Sequence, residues 1–159
     1  MKFTARFLTQ AAIIAAIYVA VTLLLAPISY GQLQVRVSEA LTLLPILTPA
    51  AVPGLFVGCL LANIFNPAGA SILDIVFGSL ATLAAAFATF ALRKKPALAA
   101  VPPVLINAIV VGIVLHVQFQ LPLIATMGWV GLGQLIACYG LGFVLLWALR
   151  KLPARMFAK

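Results

Sequence analysis

Residues 40–65 read ALTLLPILTPAAVPGLFVGCLLANIF, and the number of times this stretch crosses a bilayer decides the fold. A crossing helix needs about 20 residues, so the run is long enough for one span, yet Pro49 and Pro53 interrupt it. Proline lacks a backbone donor and biases its predecessor away from the helical region. The pair therefore reads as a turn between two short helices, at about residues 39–48 and 50–65. Charge settles the count. Lys2 and Arg6 precede the first apolar run, and Arg93, Lys94 and Lys95 close the run that ends at Leu92. The positive-inside rule puts both groups in the cytoplasm, so an even number of crossings separates them. The first run and the 71–92 run supply two, and a single span between them would put Arg93 outside. The shorter of the paired helices, 39–48, falls short of a bilayer's thickness, which is tolerable only where neighbours or a cavity cover its end.

Working outward, the other spans fall at about residues 4–26, 71–92, 97–117 and 121–150, the last long enough to tilt or protrude. The reading is a single all-α integral membrane domain over residues 1–159, a bundle of six transmembrane helices with both termini cytoplasmic. Arg150, Lys151, Arg155 and Lys159 mark the second terminus. Composition agrees: 65% of residues are hydrophobic and 8% charged, against about 25% charged in ordinary soluble domains. That excludes a soluble enzyme, a disordered tail and a nucleic-acid module. The net charge of +8 is a topology signal and not the footprint of nucleic acid. Cys59 and Cys138 sit in apolar runs without metal-ligand spacing and read as packing residues. Alternation from Gln32 to Val37 suggests an extended loop or short strand.

With that topology, the uncommon polar residues gather in the outer half. Arg36 and Glu39 flank the start of the second helix, Asn63 ends the third, Asp74 begins the fourth, Asn107 lies mid-way along the fifth, and Trp129 and Gln134 lie in the sixth. Polar groups facing lipid are costly, so one outward-opening pocket accommodates them all as a substrate site, with Tyr30 and Gln32 in the first loop as its gate. Each residue has a plainer reading beside this one. Asp74 follows Ser71 at capping-box spacing. Glu39 can latch to Arg36, and Asn63 can bond loop backbone. Asn107 and Gln134 can glue helices together. His116 and Trp129 can sit at the membrane interface, and Tyr30 and Gln32 can simply be solvated. Ala12, Ala16 and Ala20 recur every fourth residue on helix 1, a small-residue face suited either to packing within the bundle or to docking a second membrane protein.

The chain has no GxxxxGK phosphate loop, no HExxH and a single histidine, so neither ATP binding through that motif, nor a metal centre, nor catalysis is supported, and no cofactor is called for. An intramembrane enzyme built on Glu39 or Asp74 lacks a nucleophile. A stand-alone secondary carrier of a nucleobase-like solute is a second reading, weakened by the lack of an inverted repeat.

The segments Val35-Arg36-Val37-Ser38-Glu39-Ala40-Leu41-Thr42-Leu43-Leu44-Pro45, Pro53-Gly54-Leu55, Gly58-Cys59-Leu60-Leu61-Ala62-Asn63 and Leu73-Asp74-Ile75-Val76-Phe77-Gly78-Ser79-Leu80-Ala81-Thr82 resemble the queuosine-precursor transporter family (QueT), over about Thr9 to Lys151. These are substrate-binding S components of energy-coupling-factor (ECF) importers. The resemblance implies a six-helix bundle in a prokaryotic plasma membrane and a deazaguanine cargo: 7-cyano- or 7-aminomethyl-7-deazaguanine, or queuine. It implies partners as well, namely a membrane coupling subunit docked on the alanine face of helix 1 and two cytoplasmic ATPases that supply energy. For such a cargo, Glu39 or Asp74 would accept the guanine edge and the other would meet an aminomethyl cation. Asn107 or Gln134 would bond the carbonyl and ring nitrogen, and Trp129 would stack the bicycle.

Overall fold

The computed structural model describes residues 4–30, 36–153 and 157. Gln32, one of the two expected gate residues, lies outside the described residues, as does most of the expected extended stretch. Helix α1 (Ala5–Leu24) opens with Thr4 as its N-cap, whose hydroxyl accepts from the Phe7 N–H at 3.2 Å. A short turn of helix, α2 (Ala26–Ser29), follows. Next come a 3₁₀ helix (Val37–Ile46) and α3 (Ala51–Ile64). A π-helical segment (Asp74–Gly78) leads into α4 (Ser79–Ala91). The chain continues through α5 (Pro96–Ala99), α6 (Val101–Phe119) and α7 (Leu123–Leu135), a second π segment (Ile136–Gly142) and α8 (Phe143–Arg150).

Among the described residues, four continuous helical stretches are long and apolar enough to cross a membrane: Ala5–Leu24, Asp74–Ala91, Pro96–Phe119 and Leu123–Arg150. Val37–Ile46 and Ala51–Ile64 are apolar but shorter. The split of residues 40–65 into two helices is therefore present, although its punctuation differs from the expected one. The turn lies at residues 47–50, where the Thr48 carbonyl accepts from Ala51 at 3.2 Å and that of Pro49 from Val52 at 3.2 Å. Pro53 does not belong to this turn. It occupies the first turn of α3, where a helix has no use for the missing N–H.

The segment expected as an α-helix over 39–48 is a ten-residue 3₁₀ helix shifted two residues toward the N-terminus. Such runs rarely exceed 3–4 residues, and their rise of about 2.0 Å per residue exceeds the α-helical 1.5 Å. Ten residues thus reach about 20 Å instead of about 15 Å. This segment is the axis of the bundle: α1, α3, α4, α8 and the second π segment all pack against it. Leu43 is fully buried, and Leu44 packs with Leu55, Val52 and Ala86 in the main apolar core.

Close approach of α3 to α1 depends on glycines. A Cβ at Gly54 would stand 2.7 Å from the Ala11 carbonyl oxygen, and one at Gly58 would stand 2.8 Å from the Tyr18 Cβ. Large apolar side chains point the other way. Ile13, Ile17, Phe77, Phe87, Leu105, Ile109, Ile136 and Val144 are exposed, while Glu39, Arg36, Asn63, Asp74, Asn107 and Gln134 are buried. Apolar outside and polar inside is the arrangement that lipid requires.

Candidate substrate site

The 3₁₀ helix places residues three apart on one line, so Glu39 and Thr42 share a face. The Glu39 side chain is only 1% exposed. Its Oε1 accepts a short hydrogen bond from the Tyr18 hydroxyl of α1, and its Oε2 accepts from Asn107 Nδ2 of α6 at 3.0 Å. Gln134 of α7 reaches the same carboxylate, and Cys138 Sγ donates to Gln134 Oε1 at 3.7 Å. Beside it, the Thr22 hydroxyl meets the Ser38 hydroxyl at 2.7 Å. One carboxylate thus ties four elements together. The expected latch between Glu39 and Arg36 does not form between their side chains. The two residues meet through the backbone, with the Glu39 N–H donating to the Arg36 carbonyl at 3.0 Å.

Arg36 turns instead toward α3. Its Nη2 donates to Asn63 Oδ1 at 3.0 Å, its Nε to the Ser29 carbonyl at 3.4 Å, and its Nη1 to Cys59 Sγ at 3.8 Å. Its guanidinium carbon lies 5.5 Å from the centroid of the Tyr30 ring, a cation–π distance. The Tyr30 hydroxyl is anchored to the Ala62 carbonyl at 2.6 Å, so the buried Tyr30 is fixed against α3.

Asn63 bonds backbone, as its plainer reading held, but the backbone is that of the next helix: its Nδ2 donates to the Asp74 carbonyl at 2.8 Å. The Asp74 carboxylate accepts from Gln118 Nε2 at 2.9 Å through Oδ2, and the same Nε2 lies 2.6 Å from the Ser71 hydroxyl. The capping contact expected from Ser71 to the Asp74 N–H is long, at 3.5 Å.

Arg36, Glu39, Asn63, Asp74, Asn107 and Gln134 therefore share one buried polar region, split into an inner group around Glu39 and an outer group around Arg36 and Asp74. Trp129 is not part of it. The residue is 56% exposed, whereas Val130 and Gln134 of the same helix are buried. An indole on the outer surface of a membrane helix suits an interfacial anchor. His116 bonds the Leu121 carbonyl through Nδ1, closing the end of α6. Cys59 and Cys138 are buried, as expected, but they are polar partners rather than plain packing. Cys59 Sγ accepts from Arg36, from Asn63 at 3.6 Å and from Thr82 at 3.4 Å.

Tyr18, Thr22 and Gln118 were not among the expected site residues. A signal for the first two was available: Tyr18 and Thr22 stand four apart in an otherwise apolar helix, hence on one face. Ala12, Ala16 and Ala20 are exposed on α1, whereas Ala15 is buried and Ala11 and Ala15 face Gly54 and Gly58 of α3.

No curated protein and no solved structure matches the chain. The family model of the QueT transporter matches residues 8–151, which takes in every described element except the first turn of α1. Arg36, both acids and the amides Asn63, Asn107 and Gln134 are buried within an apolar helical bundle, and the chain belongs to the QueT transporter family.

Proposed function

We propose that this chain is the substrate-binding S component of an ECF-type importer and that its cargo is a queuosine precursor, a deazaguanine-type base such as 7-cyano- or 7-aminomethyl-7-deazaguanine, or queuine. The observation that carries the reading is the concentration of Arg36, Glu39, Asn63, Asp74, Asn107 and Gln134 in one buried region of a largely apolar bundle, in a chain of this transporter family. A guanine-like edge presents adjacent N–H donors and a carbonyl. Carboxylates accept the first and a guanidinium or amide donates to the second. Tyr30 lies at the edge of that region and would gate the site. In this reading the helical stretches make six crossings, the termini are cytoplasmic, and the polar region opens to the outside of a prokaryotic plasma membrane.

Energy comes from partners. A membrane coupling subunit docks on the face of α1 marked by Ala12, Ala16 and Ala20, and two cytoplasmic ATPases drive the cycle. The decisive experiment purifies the tagged chain from its native membrane and measures uptake of the labelled bases. Co-purification with a coupling subunit and ATPases, together with ATP-dependent uptake, is the expected result. Proton-driven uptake by the chain alone would replace this reading with a secondary carrier, and turnover of a bound ligand would replace it with an enzyme.

A further inference from the structure

The two acids differ in what is left for a ligand to bond. Both oxygens of Glu39 are engaged, and the two donors come from two other helices, α1 and α6. A carboxylate that accepts from Tyr18 and Asn107 while 1% exposed has little capacity left for a visitor. Asp74 is 6% exposed, and among the described residues its carboxylate has one partner, Gln118 on Oδ2. Oδ1 carries no hydrogen bond, yet it is not among the sealed, unpartnered atoms, which are Ser29 Oγ, Ser79 Oγ and Asn107 Oδ1. Arg36 is the complementary case. It is 5% exposed and bonds three neutral acceptors and no carboxylate. A guanidinium has five N–H donors, so two remain.

A buried cation and a buried anion in the same neighbourhood ordinarily pair, because an unpaired buried charge is costly. Asn63 stands between them. Its Oδ1 holds the guanidinium at 3.0 Å and its Nδ2 holds the Asp74 backbone at 2.8 Å. Gly78 backs this amide, with room for a Cβ only 3.3 Å from Nδ2.

We propose that Asn63 is a strut that keeps Arg36 and Asp74 apart, so that the cargo completes the circuit between them, and that Asp74, not Glu39, reads the cargo's ionisable substituent. Glu39 is then a lock that gathers α1, α6 and α7 around the 3₁₀ helix. Arg36 meets an acceptor of the base, and the free Asp74 oxygen meets a donor or a cationic amine. The inference rests on the cargo being a deazaguanine base.

The test is calorimetric binding of the aminomethyl and cyano bases to the detergent-purified full chain. These two cargoes differ in the charge of one substituent. Asp74→Asn should lower the aminomethyl-to-cyano affinity ratio by about tenfold or more, equal to about 1.4 kcal/mol of discrimination. Glu39→Gln should weaken both cargoes by a similar factor and leave the ratio unchanged. Asp74→Ser serves if the Asn variant does not survive purification.

For the strut, Asn63→Ala should weaken both cargoes by letting Arg36 collapse onto Asp74, and adding Asp74→Asn should restore cyano binding by freeing Arg36. An amide with a merely structural role would give a double variant weaker than either single one. A flat ratio in the Asp74 variants, or a double variant weaker than Asn63→Ala, overturns the proposal while wild-type binding leaves the cargo reading intact. Wild-type protein that binds neither base removes the cargo reading, and this inference with it.

Discussion

Glu39 illustrates how a single charged residue organises a membrane core. An ionised carboxylate accepts only, and in a low-dielectric interior each missing donor costs more than it would in water. The donors on Glu39 come from Tyr18 and Asn107, which lie 21 and 68 residues away in sequence. Removing the phenol hydroxyl alone should therefore be felt globally. Tyr18→Phe keeps the ring and deletes the donor, and should lower stability by about 1–2 kcal/mol, read as a lower midpoint of thermal unfolding in detergent. An unchanged midpoint would mean that the hydroxyl contributes nothing to holding α1 on the 3₁₀ helix. Glu39, Asn107 and Gln134 were legible in the sequence because carboxylates and amides are rare in apolar runs, so each announces an interior position. Tyr18 was not, since a tyrosine counts as apolar and its hydroxyl shows only once its partner is known. Trp129 failed for the opposite reason. Its side chain suits either a ligand stack or a lipid interface, and only its angular position on α7, opposite Gln134, separates the two.

The helices were placed from the sequence by hydropathy and proline, and their ends moved by only a few residues. What hydropathy does not carry is the kind of helix. The expected helices at 71–92 and 121–150 each contain a π-helical segment, Asp74–Gly78 and Ile136–Gly142. A π turn inserts a residue without changing composition, and such turns collect at functional sites. Here one begins at Asp74 and the other contains Cys138, so both adjoin the polar region. Glycine spacing, in contrast, bears on packing directly. Gly58 allows α3 to lie against Tyr18 and Ala15, where an added Cβ meets atoms at 2.8 and 3.1 Å. Gly58→Ala should cost about 1–3 kcal/mol through overpacking and should weaken cargo binding as well, because the displaced Tyr18 is a Glu39 partner. Gly128 in α7 has nothing within 4 Å of the same test atom, so Gly128→Ala should be neutral or slightly stabilising. Equal losses in the two variants would show that the α1–α3 contact is looser than its geometry.

For the whole molecule, the question is which surface faces lipid and which faces a partner, since both are apolar. Of the four long spans, α1 is the least buried, with 28% of its apolar stretch inside, against 44% for Asp74–Ala91 and 50% for Pro96–Phe119. It packs chiefly on α3 and the 3₁₀ helix and lies at the edge of the bundle. Its outer surface is not uniformly bulky: Ala12, Ala16 and Ala20 are exposed in line, beside the exposed Ile13 and Ile17. Bulky side chains alone suffice to meet lipid, whereas a row of alanines lets another helix approach closely and gain dispersion contacts over its length. Packing within this chain does not explain the row, because the alanines facing α3 are Ala11 and Ala15. Ala16→Leu adds three carbons and no charge to the middle of the row, 58 residues in sequence before Asp74 and on the face of α1 turned away from Glu39. Cargo affinity of the isolated chain should stay within about twofold of wild type, whereas ATP-driven uptake by the complex reconstituted with the proposed coupling subunit and ATPases should fall by tenfold or more, roughly the loss of 1.4 kcal/mol of association. Uptake that survives Ala16→Leu would move the docking surface to another face, with the exposed stretch of the second π segment and α8 around Ile136 and Val144 the next to test.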